Sequence, residues 1–170
     1  MTYLYWIVLA VGVQRLAELA LSRRNERRLI ALGGIESGAG HYPILVLLHT
    51  AWLVSMPLTL PADGAVDWRL IGLFAALQLG RYWAIASLGI HWTTRIIVIP
   101  GSALVLKGPY RFLRHPNYVI VAAEIAVLPL AFGAWTLTLG FSLLNGLVLA
   151  HRIRVENAAL ATHCVRVPEG

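Results

Sequence analysis

Five long apolar runs, separated by stretches rich in charge, glycine or proline, set the outline of the chain. They are Met1–Leu21, Tyr42–Leu60, Trp68–Gly89, Tyr118–Phe132 and Ala134–Ala150. A helix crossing about 30 Å of hydrocarbon needs about 20 mostly apolar residues, so each run reads as a candidate membrane span. The first ends with Gln14, Arg15 and Glu18. The second has no formal charge and one histidine, His49, and the third carries Arg69 at its start and Arg81 late in the run. The last two are short, and Gly133 between them reads as the tip of a helical hairpin. The pattern predicts an all-α integral membrane protein with five transmembrane helices and a structured segment before the fourth. One domain is expected over residues 1–170: three spans in 1–89, the structured segment 90–117, the hairpin 118–150 and a helix with its tail in 151–170.

Composition agrees with that outline and removes the other classes. Of 170 residues, 58% are hydrophobic and 13% charged, against about 45–50% and about 25% in a soluble domain. Too little polar surface is left to cover a water-soluble globule. A single cysteine, Cys164, excludes a disulfide scaffold, and the hydrophobicity excludes disorder. The first run has no basic stretch before it and no small-residue cleavage site after it, so it is expected to remain in the mature protein.

The charges sort by connection. Arg23, Arg24, Arg27 and Arg28 follow the first run; Arg95, Lys107, Arg111 and Arg114 follow the third; Arg152, Arg154 and Arg166 follow the last. Asp63 and Asp67 fall between the second and third runs, on the opposite side. Eleven of the 14 basic residues therefore share one side, which the positive-inside rule makes cytoplasmic. Five spans then put the N-terminus outside and the C-terminus inside, as in a bacterial inner or plasma membrane. The net charge of +6 is thereby read as topology and contact with anionic headgroups. Nucleic-acid binding is not expected, and Trp6, Trp52, Trp68 and Trp135 suit membrane interfaces. No Cys/His cluster has metal-ligand spacing, so no metal site is expected. The oligomeric state is not legible.

Chemistry concentrates in Ile90–Pro116, which mixes aliphatic and polar residues and is too apolar for a solvated linker. Pro100-Gly101 and Gly108-Pro109 mark turns. Pro116 suits a helix start, so the fourth helix should begin at His115–Asn117, with its amides free to meet a carboxylate or phosphate. In His151–Leu160, Arg152 and Glu156 share a helical face; alone they read as a surface ion pair of well under about 1 kcal/mol. Glu124, in the middle of the fourth span, is a functional candidate because burying a charge there is costly. Arg15 and Glu18 read as a structural pair with Arg15 snorkelling.

Three motifs then stand in order: Gly108-Pro109-Tyr110, Arg114-His115-Pro116-Asn117-Tyr118, and Arg152-Ile153-Arg154-Val155-Glu156-Asn157-Ala158-Ala159-Leu160. Together they resemble the isoprenylcysteine carboxyl methyltransferase family, integral membrane enzymes that use S-adenosylmethionine. The resemblance covers about Ile90–Leu160; the N-terminal half agrees in span pattern only. Trp92-Thr93-Thr94-Arg95 and the stretch through Trp135 look like a small bacterial branch that includes O-methyltransferases of alkylresorcinols and alkylpyrones.

The resemblance implies S-adenosylmethionine as cofactor, held by Ser102, Ala103, Leu104, Val105, Tyr110, His115, Pro116, Asn117 and Tyr118. It puts Arg152 and Glu156 at the substrate end as catalytic residues. Glu124 is the other candidate base, and Arg95, Asn117, Glu124 and Arg152 are the expected substrate contacts. Asn117 and Glu124 are seven residues apart and share a helical face. Eukaryotic members carry a Glu-Glu pair where this chain has Glu156-Asn157, a glutamine at the position of Arg95 and a histidine at that of Ser102. Those departures imply a different acceptor, a lipophilic small molecule such as an alkyl phenol reached from the membrane lipid. Carboxyl methylation of isoprenylcysteine, a sterol-reductase-like enzyme using NADPH and a non-catalytic membrane scaffold are the alternatives.

Overall fold

A computed structural model of the chain describes residues 3–61 and 64–164; Asp63 and Arg166 lie outside them. Five helices carry the structure: α1 (Tyr3–Ala31), α2 (Tyr42–Thr59), α3 (Trp68–Leu88), α4 (Pro116–Leu130) and α5 (Trp135–His163). Four of them, α1, α2, α3 and α5, are long and apolar enough to cross a membrane, and α4 is a shorter apolar helix. At 1.5 Å per residue the 15 residues of α4 reach about 22 Å, short of a 30 Å hydrocarbon layer. The 29 residues of α1 and of α5 reach about 43 Å each. The excess lies at one end. There α1 runs ten residues past the expected end of its span, through Arg23, Arg24, Arg27 and Arg28, and α5 runs unbroken through Arg152 and Arg154.

The surface is inverted relative to a soluble bundle. Leu16, Leu47, Leu79 and Leu143 are each about 70% exposed along the outer faces of the four long helices, which suits contact with lipid rather than water. Inside, Leu4, Val11, Leu48, Trp52, Met56, Phe74, Val121, Ile125 and Leu128 pack into one core. Trp52 belongs to it, 1% exposed with its indole N–H on the Ile125 carbonyl at 3.1 Å, and so does not sit at an interface. Trp6, Trp68 and Trp135 are exposed, as expected of an aromatic belt. Asp67 caps α3 by accepting the Arg69 and Leu70 amides. The α4–α5 hairpin turns at Gly133, φ 71°, a left-handed conformation that glycine adopts without strain.

A two-stranded antiparallel ribbon joins the basic end. β1 (Ile35–Ser37) pairs with β2 (Ile96–Val98) in the register Ile35↔Val98, Glu36↔Ile97, Ser37↔Ile96. Three residues each are too few to show a period-2 pattern in the sequence, and the ribbon is a small addition to an otherwise all-helical fold. Ile96 and Val98 pack on Ala159 with Val155 and Leu160, which seats the ribbon on the last turns of α5. A short 3-10 turn, Gly108–Arg111, follows β2. Gly108 has φ 56°, and a Cβ there would collide with the Ser87 side chain and reach the Trp83 indole. Glycine is what lets this turn lie directly on α3.

Candidate functional site

The start of α4 and the extension of α5 cross at the basic end, and the sequence puts polar residues on both. Tyr118 hydroxyl donates a short hydrogen bond to Glu156 Oε2 and accepts one from Arg152 Nε at 2.8 Å. Arg152 and Glu156, one turn apart, are thus joined through a phenol rather than paired face to face as a surface ion pair. Arg152 is 4% exposed, and its Nη2 donates to the Thr94 carbonyl at 2.6 Å. Its Nη1 is buried without a partner. His115 stacks on Tyr118 with ring centroids 5.3 Å apart; its Nε2 lies 3.1 Å from Asn157 Oδ1 and its Nδ1 3.9 Å from Glu156 Oε1. Burial, then the negative charge of Glu156, push the Tyr110 phenol above its ordinary range, so Tyr110 stays protonated and available as a donor.

The helix end itself offers less than its position suggested. Pro116 has no N–H, and the Tyr118 and Val119 amides already go to the His115 carbonyl at 3.1 and 3.3 Å. Among the described residues, the first turn keeps the Asn117 amide for an anion. Asn117 Oδ1 is also buried and unpartnered. Ser102–Val105 has no continuous strand; the Ser102 hydroxyl donates to the Ile99 carbonyl at 2.7 Å, Ala103 is exposed, and Leu104 and Val105 are half-buried. The adjoining Gly101 amide bonds the His163 carbonyl at 2.8 Å, which holds the segment against the end of α5.

Two expected site residues are engaged elsewhere. Arg95 bonds Glu36 at 2.7 Å, lies 3.8 Å from Glu26 and covers the Tyr42 ring at 4.6 Å. The Glu36 bond raises its already high pKa, and its charge is answered locally. Glu124, fully buried, accepts from Arg15 at 2.6 Å, Gln78 at 2.9 Å and Arg81 at 3.4 Å. Glu18 accepts from Arg81 through two bonds of 2.7 Å, from Arg15 at 2.9 Å and from Gln14 at 2.9 Å. Arg15 therefore turns inward to α4 instead of snorkelling. Both oxygens of Glu124 are occupied by cationic or amide donors, which ties the carboxylate into a structural network.

Sequence reading names Asn157 and Thr94 within motifs but without a role, and it misses Ser22 and Asn25. The spacing Ser22-x-x-Asn25 puts both on one helical face, a usable signal had α1 been extended beyond Leu21. Two recesses lie elsewhere among the described residues, one between Asp67, Trp68 and Gly133 at the far end, about 600 Å³, and one between Arg27, Glu36 and Arg95, about 370 Å³.

A membrane-embedded bundle with a polar cluster where α4 meets the α5 extension is the architecture of an integral membrane enzyme. The chain matches the isoprenylcysteine carboxyl methyltransferase (ICMT) family over residues 70–162, and it belongs to that family of membrane methyltransferases, whose members use S-adenosylmethionine. It is 38% identical over 168 residues to uncharacterized protein YpbQ of Bacillus subtilis (strain 168), covering 96% of this chain and all of the relative. An uncharacterized protein of Haemophilus influenzae is 27% identical over 156 residues, covering 86% and 88% of the two chains. No solved structure matches.

Proposed function

We propose that the protein transfers a methyl group from S-adenosylmethionine to an oxygen of a lipophilic small molecule, an alkyl phenol of the alkylresorcinol or alkylpyrone kind, at the cytoplasmic face. In this reading all five helices traverse the bilayer, which thins around the short α4, with the N-terminus outside and the C-terminus inside, because the basic residues gather at the end that holds the site. The observation that carries the reading is the buried Arg152, held at Nε and Nη2 with Nη1 unpaired.

The residues present suit the cofactor. Its amino-acid end brings an ammonium and a carboxylate, and the unpartnered Asn117 Oδ1 with the neighbouring Asn117 amide matches that pair. Tyr110, His115, Pro116, Tyr118 and the Ser102–Val105 segment complete the holding surface. S-adenosylmethionine supplies an electrophilic methyl group on a sulfonium.

The chain's own task is to orient the acceptor and make its oxygen nucleophilic. A phenol has a pKa of about 10, so near pH 7 its proton must leave as the new bond forms. Arg152 Nη1 donates to that oxygen and stabilises the developing charge, a contribution that is large in a water-excluded site. Glu156 Oε1, the oxygen that Tyr118 leaves free, receives the proton, and His115 beside it faces the resulting carboxylic acid. Tyr118 keeps Arg152 and Glu156 in register. The O–CH₃ bond would form as the sulfonium's S–CH₃ bond breaks, leaving a neutral thioether, while the phenol's proton passes to Glu156 Oε1; the alkyl chain stays in lipid throughout.

Purified protein in nanodiscs, given labelled S-adenosylmethionine with alkylresorcinols, alkylpyrones and prenylcysteines, tests this directly. Label on a phenolic oxygen is expected. Label on a prenylcysteine carboxyl would replace the acceptor, and no transfer to any of them would overturn the reading.

A further inference from the structure

We infer that Ser22 and Asn25 of α1 are positioning residues for Arg152, acting through the turn that ends at Thr94. This rests on the reading above in which Arg152 meets the acceptor oxygen. Ser22 is fully buried. Its Oγ accepts the Thr94 amide at 2.8 Å, lies 2.9 Å from Thr94 Oγ1 and donates to Glu26 Oε1 at 2.6 Å. Asn25, 3% exposed, donates from Nδ2 to the Trp92 carbonyl at 2.8 Å and to the Gly89 carbonyl at 3.1 Å. Residues 89–94 are thus pinned to α1 at three points. The Thr94 carbonyl, at the end of this pinned turn, is the acceptor of Arg152 Nη2.

A guanidinium is planar, so two bonds to fixed partners set its plane and the direction of its remaining nitrogen. One partner here is Tyr118, on α4, and the other is the Thr94 carbonyl that α1 fixes. Without the second, Arg152 keeps only the Nε–Tyr118 bond and can rotate about it, and Nη1 loses its aim. Serine and asparagine are also poorer helix formers than alanine, so neither is there for the sake of α1. Both lie outside residues 70–162, over which the chain matches its family; the first helix is thereby part of the active-site architecture.

The test is a double-mutant cycle on the full chain in nanodiscs. Ser22→Ala is expected to lower kcat about five- to tenfold, the loss that goes with one hydrogen bond, with KM for S-adenosylmethionine within about twofold of wild type. In an Arg152→Ala background the same change should cost nothing further, and Ser22→Thr, which keeps the hydroxyl, should recover most of the rate. Asn25→Ala, carried through the same cycle, serves if Ser22→Ala does not fold. A second readout needs no turnover: the ¹⁵N Nε–H resonance of Arg152, assigned by its loss in Arg152→Ala, should be sharp in wild type and shifted or broadened in Ser22→Ala. Equal fold-losses in both backgrounds, or an unmoved Arg152 resonance, would overturn the inference. A wild-type protein that methylates nothing overturns the proposed function, and the resonance then still decides this point.

Discussion

Glu124 and Glu156 are both carboxylates that meet arginine through α4, one in mid-bundle and one at the basic end, and their surroundings differ in the way that governs chemistry. Around Glu124 the bonds close on themselves, save for the buried and unpartnered Arg15 Nε. Gln14 reaches Glu18 and Gln78, Gln78 reaches Glu124, and Arg15 and Arg81 each touch both carboxylates. Two positive and two negative charges cancel there, and the network ties α1, α3 and α4 together. Around Glu156 the bonds stop short: Arg152 Nη1 and Asn117 Oδ1 are buried with no partner. A charge inside a membrane span is a reason to look for function, but the charge of Glu124 is answered by arginines of the helices it joins.

The largest expected effect breaks the closed cluster. Removing one partner of a buried ion network costs about 3–5 kcal/mol, so Glu124→Ala should lower the thermal midpoint sharply while the rate per folded molecule is kept. A stable Glu124→Ala protein with its methyl transfer abolished would instead make Glu124 the base and erase the contrast. Next, Arg152→Ala should reduce kcat by roughly 10²–10³-fold, the cost of losing one donor to a developing oxyanion, with the helical circular dichroism unchanged. Tyr118→Phe should cost about tenfold in kcat, since one hydrogen bond to charged groups is worth about 1.5 kcal/mol. The smallest effect concerns pH. Because Tyr110 is raised above the ordinary value of about 10, the folded state holds that proton more tightly than the unfolded chain does. Its contribution is complete below pH about 10 and is lost as pH rises through the raised value. Tyr110→Phe should therefore flatten the alkaline limb of a stability-against-pH profile and leave the limb below pH 9 in place.

How much of this was legible depended on whether the signal was local. The five apolar runs gave five helices, and Gly133 gave the hairpin, because hydropathy and a glycine turn need no knowledge of neighbours. Of the motif residues, Tyr118, Arg152 and Glu156 form one hydrogen-bonded chain, with His115 stacked on Tyr118. The partners of Arg15 were not legible, since Arg15 and Glu124 are 109 positions apart and only folding joins them. The same holds for the β1–β2 ribbon, which pairs residues 35–37 with 96–98. Ser22 and Asn25 were hidden by a boundary: hydropathy ends α1 where the lipid ends, whereas the helix continues about ten residues further.

The closed cluster also bears on how the protein enters the membrane. The apolar run of α1 carries its own counter-ion, since Arg15 and Glu18 bond each other at 2.9 Å, so the part that enters the lipid is neutral as a unit. Helix α3 brings Arg81 alone and α4 brings Glu124 alone. An arginine left at mid-bilayer costs about 2.5–3.5 kcal/mol on the insertion scale, and α3 sheds that cost by meeting Glu18 of the helix already in place. The short helix α4, with its buried acid, then has a pair of arginines waiting for it. The pairing suits assembly in chain order, the N-terminal helix offering the charges on which α3 and then α4 come to rest.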